Sequence, residues 1–192
     1  MGLRTENVND AWIRFKDGDL KIFTLIYSTY SHKLYQYGLK FTRQKPLVED
    51  SIQDLFLELY KNRKTIGLTG NIAGYLFKSF RRKLFRRLNH EKRYDLRNEA
   101  EEYVFDVLYS FEHELILKEE RERQMSLYQG TLKNLTARQK EAVYLKFTNG
   151  LKYEEISEIM EMTVESCRNL IWRAVKTLKD AILQGGNPAG DG

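Results

Sequence analysis

The sequence is poor in cysteine, proline and histidine, and it has no long apolar run. Its single cysteine, Cys167, excludes an intramolecular disulfide. Lying on the inner side of an amphipathic stretch, it reads as a small packed thiol rather than a redox or nucleophilic centre. The three histidines, His32, His90 and His113, are scattered and form no ligand pair, so neither a metal nor a cofactor is expected. Only two prolines and twelve glycines interrupt the chain, and long stretches are free of both. That argues against a β-sandwich or a doubly wound sheet and for an almost wholly helical protein. No segment approaches the ~18 apolar residues of a membrane span, and the opening residues, MGLRTENVNDAW, contain no apolar signal core. The expectation is a cytoplasmic protein with no stable membrane insertion.

At 192 residues, with 42% hydrophobic and 31% charged content, the composition is that of a globular protein of one ordinary or two small domains. The net charge of +5 is modest. The basic residues cluster, however, and for nucleic-acid binding clustering matters more than the total.

The most informative stretch runs from Leu135 to Ile182. Within it, Tyr153 to Trp172 has the apolar spacing of a helix-turn-helix, two short helices crossing over a tight turn. Ile156 and Met160 fall on the inner face of the first helix, Met162 in the turn, and Cys167 and Leu170 or Ile171 on the inner face of the second. Ser157 is small where the two helices touch. Thr163 is placed to cap the second helix, its hydroxyl accepting from a first-turn N–H. Helical spacing from there gathers Cys167, Ile171, Ala174, Val175, Leu178 and Ile182 on one side. Glu165, Arg168, Asn169, Trp172, Arg173, Lys176 and Lys179 share the other, a basic and hydrogen-bonding surface. Upstream, Thr136-Ala-Arg-Gln139 has capping-box spacing and Asn149-Gly150 supplies a helix stop. A basic helix face by itself is ordinarily just solvated; a helix-turn-helix beneath it directs that face to DNA.

Leu135-Thr-Ala-Arg-Gln139 and Gly150-Leu-Lys-Tyr-Glu-Glu-Ile156, followed by the basic helix, resemble the promoter-reading C-terminal domain of bacterial RNA polymerase sigma factors. Two positions depart from the family pattern. Lys152 stands where a capping Ser is usual, which should cost about 1 kcal/mol of cap energy. Glu161 stands where many members have a turn Gly, which predicts a strained or rearranged turn.

Towards the N-terminus, a helix with Trp12, Ile13 and Phe15 is broken at Gly18-Asp19. Phe23, Ile26, Tyr27, Tyr30, Leu34, Tyr37 and Phe41 then recur at helical spacing as a core-facing stripe. Pro46 opens a further helix with Val48, Ile52, Leu55 and Leu59 inside, while Leu57 points outward among Asp50, Gln53, Asp54 and Lys61, as a partner surface would. Asp50, Asp54 and Glu58 repeat every four residues, yet hard-cation sites draw carboxylates from several segments, so no metal site is assigned. After a loop from Thr65 to Asn71 comes a helix from Tyr75 to Leu88 with Phe77, Phe80, Leu84 and Leu88 inside. Lys78, Arg82 and Arg86 run along its exposed side, with Lys83, Arg81 and Arg87 beside them. Such a like-charge array opposes an isolated helix and is best explained by phosphates.

Val48 to Leu57 and Tyr75 to Arg82 resemble the polymerase-binding and promoter-melting segments of the same family. The resemblance then covers nearly the whole chain, and the short layout is similar to the extracytoplasmic-function (ECF) group. It implies an all-α protein with two small helical domains joined by an acidic linker. Residues 1–93 would bind polymerase and melt the minus-10 element, 94–110 would be the linker, 111–184 would carry the helix-turn-helix that binds the minus-35 element, and 185–192 would be a disordered tail. A helix from about Glu112 to Lys133, with Leu117, Met125, Tyr128 and Leu132 in one stripe, would begin the C-terminal domain. Carried over by position, Asp50, Gln53, Asp54 and Leu57 would dock on core RNA polymerase. Lys78, Arg82 and Arg86 would hold the non-template strand, and Ser166, Arg168, Asn169, Arg173 and Lys176 would contact promoter DNA. Arg82 stands where many members have Asn, so the resemblance carries phosphate binding there but not base choice. The protein would be a polymerase specificity subunit and not an enzyme, with no catalytic residues of its own. An anti-sigma protein is a further partner the resemblance admits. Two rivals stay open on the residues alone. A free-standing helix-turn-helix regulator would need a sensing or dimerising N-terminal domain, and a nucleic-acid enzyme would need Asp50, Asp54 and Glu58 to bind metal.

Overall fold

Gly18 and Asp19 show how punctuation shapes the first helices. In the computed structural model, which describes residues 8–67, 69–92, 103–106 and 132–185, α1 (Val8–Lys16) ends just before Gly18, whose φ of 98° turns the chain. The Asp19 carboxylate then caps α2 (Leu20–Gly38), accepting from the N–H groups of Lys21 and Ile22. Its other oxygen accepts from Arg14 at 2.7 Å, and that guanidinium is the main cause holding the Asp19 carboxyl below its ordinary pKa. Pro46 lies in the first turn of α3 (Lys45–Lys61), where its missing N–H costs nothing. Asn71 caps α4 (Ile72–Lys92) by accepting from the Gly74 N–H at 2.8 Å.

The chain divides into two units, the first built on residues 1–101 and the second on most of 102–192. All of the described secondary structure is helical. In the first unit the inward residues read from the sequence are largely buried: Trp12, Phe15, Ile26, Leu34, Tyr37, Val48, Ile52, Leu55, Leu59, Phe77, Phe80 and Leu84. Others of the apolar residues named there are not, and in the α2 stripe Phe23 and Tyr30 are half-buried. Ile13 is exposed because α1 buries the neighbouring face that carries Ala11, Trp12 and Phe15. Tyr27 is partly exposed because it lies at the rim of the stripe, where its ring still packs edge-on against Phe56 at 4.8 Å. Leu88 is only half-buried, since α4 runs past the end of the core. The loop before α4 is tied back to α1, with the Trp12 indole N–H donating to the Gly67 carbonyl (3.0 Å) and Lys16 to that of Ile66 (2.6 Å).

In the second unit α5 (Ala137–Val143) continues into a π-helical turn (Tyr144–Thr148), then α6 (Tyr153–Ile159) and α7 (Val164–Gly185). Gly185, assigned above to the tail, is the last residue of α7, and residues 186–192 lie outside the described chain. The helix read at 112–133 also falls outside it, except for its last two residues, and so does the linker except for residues 103–106. Those four residues pack against α5 and the turn that follows. Phe105 is buried with its ring edge-on to Tyr144 at 5.7 Å, and the Tyr103 hydroxyl donates to the fully buried carboxylate of Glu141.

At the end of α2, Gly38 lies close against two other helices. A Cβ built there would lie 2.6 Å from Val48 Cγ1 of α3 and 2.8 Å from Phe80 Cζ of α4. Overpacking of this kind costs about 1 to 3 kcal/mol, against the ~1 kcal/mol that Ala gains over Gly in a helix. Gly38→Ala should therefore lose stability by up to about 2 kcal/mol in a urea titration. A variant as stable as the parent would show that the three helices part without cost.

Candidate nucleic-acid interface

The helix-turn-helix is assembled by caps and one strained residue. Thr136 and Gln139 form the capping box at the start of α5, with bonds of 3.2 Å from the Gln139 N–H to the Thr136 hydroxyl and 2.9 Å back from the Thr136 N–H. Gly150 takes a φ of 68° at the stop before α6. At Lys152 half of the missing cap is recovered. Lys152 has no acceptor for the helix N–H groups, but its own N–H donates to Glu155 at 2.5 Å, the reciprocal half of a capping box. Thr163 caps α7 by accepting from the Ser166 N–H at 3.1 Å.

Ile156, Ile159 and Met160 from α6 and its end, Ser157 at the crossing, and Cys167, Ile171 and Ala174 from α7 are all buried. Burial pushes the Cys167 thiol above its ordinary pKa, away from the thiolate a reactive cysteine needs. The inner stripe of α7 is shorter than its spacing suggested. Val175 and Ile182 are exposed and Leu178 is half-buried, because α7 extends well beyond the short α5 it packs against.

The outward face of α7 carries Ser166, Arg168, Asn169, Trp172, Arg173 and Lys176, every one of them exposed. Two of these side chains are already placed. The Arg168 guanidinium lies 5.6 Å from the Tyr153 ring centroid and 3.5 Å from Glu154 Oε1, so it reaches across the motif to α6. Lys176 sits over the Trp172 ring at 5.4 Å. Lys146, from the π-helical turn, approaches the same Tyr153 ring at 4.3 Å and donates to the Leu151 carbonyl. This Lys146–Tyr153–Arg168 cluster was not read from the sequence, because its members come from three elements. The only local signal was an aromatic residue at the start of α6.

In the first unit Arg82 and Arg86 are exposed on α4 and Lys78 is partly so. Lys83 and Arg87, read as part of the same positive face, turn instead to α3. Lys83 pairs with Glu58, and Arg87 pairs with Asp54 and approaches Asp50 at 3.7 Å. The three carboxylates spaced along α3 are thus partners of α4 cations. Leu57 is 58% exposed at the centre of the outer α3 face, with Gln53 also exposed.

Glu161, in the turn between α6 and α7, adopts a φ of 53°, the left-handed conformation that Gly would take without cost, and the following Met162 N–H closes the turn onto the Ser157 carbonyl at 2.9 Å. The expected strain is therefore present, and the turn keeps its hydrogen bond. Glu161→Gly should raise the stability of the protein by about 1 kcal/mol in thermal or chemical denaturation. An unchanged or lowered midpoint would mean that the Glu side chain returns more than the backbone strain removes.

Comparison with known proteins agrees with this arrangement. Residues 126–178 match the family described as sigma-70, region 4. The curated ECF RNA polymerase sigma factor SigM of Bacillus subtilis (strain 168) is 24% identical over 164 residues, covering 84% of this chain and 96% of SigM. Among solved structures, CnrH in complex with the cytosolic domain of CnrY aligns with a TM-score of 0.60 at 17% identity, over 95% of this chain and 100% of that one. The sigma factor RpoE in complex with the anti-sigma factor NepR, from Bartonella quintana, aligns with a TM-score of 0.55 at 17% identity, over 88% and 98%. These structural likenesses concern the all-helical fold. The region 4 match over residues 126–178 and the likeness to SigM along almost all of that protein make the chain similar to bacterial RNA polymerase sigma factors of the extracytoplasmic-function group.

Proposed function

We propose that the protein binds core RNA polymerase and directs it to specific promoters, each part of the task falling to a different helix. The observation that carries this reading is the exposed face of α7. It sets Ser166, Arg168, Asn169, Arg173 and Lys176 opposite the buried Cys167, Ile171 and Ala174, in the geometry by which a helix-turn-helix enters the major groove. On this reading α7 binds the minus-35 element. Lys78, Arg82 and Arg86 of α4 hold the phosphates of the non-template strand as the minus-10 element opens. Asp50, Gln53, Asp54 and Leu57 of α3 dock on the polymerase. Residues 1–93 then form the melting and docking domain, 94–110 the linker and 111–184 the minus-35 domain.

The chain supplies no catalysis in this scheme, since bond formation belongs to the polymerase. Among the described residues no helix is long and apolar enough to cross a membrane, which fits work in the cytoplasm beside the chromosome. The solved complex of RpoE with NepR supports an anti-sigma protein as an additional partner.

Leu57→Asp places a charge at the centre of the exposed α3 face without touching the buried Val48, Ile52 and Leu55. It should abolish polymerase binding in a pull-down while circular dichroism keeps its helical signal, and a folded variant that still binds would remove the docking assignment.

Arg168 and Arg173 should fail differently. A bidentate arginine–guanine contact contributes about 1 to 3 kcal/mol of discrimination, whereas a lost phosphate contact weakens all sequences and lowers the salt slope by about one. Arg168 lies nearer the start of α7 and is already oriented on Tyr153, so Arg168→Ala should relax preference at one minus-35 position. Arg173→Ala should leave preference intact. Affinities across a promoter library at two salt concentrations separate the two, and a uniform loss for Arg168→Ala would count against its role as base reader.

A further inference from the structure

The basic residues of α4 fall into two groups that the sequence does not separate. Arg82 and Arg86 are exposed. Lys83, with about a tenth of its side chain exposed (10%), and Arg87 (34%) lie against α3. Arg87 Nη2 meets Asp54, and Nη1 lies 3.7 Å from Asp50, so one guanidinium spans two carboxylates a helical turn apart. Its fork is directed at acids, and the trio of Arg87, Asp50 and Asp54 carries a net negative charge. A phosphate would be repelled there, so Arg87 does not belong with the strand-binding cations of the same helix.

Asp50 and Asp54 remain 60% and 49% exposed, and each carboxylate can accept further donors on its open side. Both flank the exposed Leu57. We propose that Arg87 is a positioning residue for polymerase docking: it holds the Asp50 and Asp54 side chains in one orientation, so that their open oxygens present a preformed acceptor pair to basic groups of the polymerase. The proposal rests on the docking reading of α3. Its physical basis is that two rotamers are ordered before association instead of during it. It also means that a residue on the helix assigned to promoter opening serves the other interface.

The test titrates the full-length protein against core polymerase and measures the salt dependence of promoter binding by the resulting holoenzyme. Arg87→Ala should weaken polymerase affinity about threefold to fivefold, the range of a half-exposed ion pair, and Arg87→Lys should restore part of it. The loss should vanish when Arg87→Ala is made in an Asp50→Asn, Asp54→Asn background, because the carboxylates it orients are gone. The salt slope should be unchanged by Arg87→Ala, whereas Arg86→Ala should lower it by about one. Arg87→Gln, uncharged but of similar length, repeats the comparison if the alanine variant loses its helical circular dichroism signal. An equal loss of affinity in the double-Asn background overturns the proposal, and so does a salt slope lowered by one with polymerase affinity intact. Leu57→Asp keeps the two readings apart. If it abolishes docking while Arg87→Ala binds normally, only the positioning role fails; if Leu57→Asp binds normally, the α3 docking face itself is wrong.

Discussion

Three helices of the first unit meet where one of them has no side chain. Gly38 brings the end of α2 within van der Waals reach of Val48 on α3 and Phe80 on α4, and the rest of that unit is arranged around the closeness this permits. Because α3 and α4 pack this closely, Lys83 and Arg87 reach Glu58, Asp54 and Asp50 across the seam. The aromatic residues Tyr37, Phe77 and Phe80 on the same helices, with Phe41 just past the end of α2, fill the space around the crossing in tilted and edge-on pairs rather than as isolated rings. Packing thereby sets the electrostatics. The α4 helix is strongly basic in sequence, yet part of that charge is answered by α3, and only part of it faces outward.

The second unit depends on hydrogen-bond closure more than on bulk. Its helices α5 and α6 are short, and helices of that length are marginal unless their ends are satisfied and one face is buried. The Thr136–Gln139 capping box, the half-box at Lys152 and Glu155, and the Thr163 cap on α7 supply the first condition. Ile156, Met160, Cys167 and Ile171 supply the second. Among the described residues Glu161 is the one non-glycine residue with a positive φ, and the turn it makes joins α6 to α7. A helix that must offer its outer side chains to a groove gains from rigidity, since a loosely held recognition helix would lose orientation on binding.

Much was legible from residue spacing alone. Helix ends followed from Gly18-Asp19, Pro46, Asn149-Gly150, Thr136 and Thr163, because capping and turn chemistry act over three or four residues and need no tertiary partner. The inner faces of α3 and α4 and the first turns of α7 followed from periodicity for the same local reason. The strain at Glu161 could be foreseen from the family resemblance, which puts Gly at this turn, and a left-handed turn prefers Gly whatever surrounds it.

What spacing could not decide was how far burial extends and which charges meet. Periodicity places Val175 and Ile182 on the inner stripe of α7, but whether that stripe is covered depends on the length of the helix packed against it, and α5 is too short to reach them. Ile13 and Tyr27 are apolar or aromatic at helical spacing, yet the core ends beside them. Arg87 and Arg86 are neighbours in a run of cations and indistinguishable by composition; only the approach of α3 turns one to carboxylates while its neighbour stays exposed. Likewise Tyr103 meets Glu141, and Lys146 and Arg168 meet over Tyr153, because separate segments are brought together in space. The sequence by itself determined the helices, their caps and the family resemblance, since these rest on local chemistry and motif. Only the tertiary structure decided the ends of the core and the pairing of charges, since both depend on distances between segments far apart in the chain.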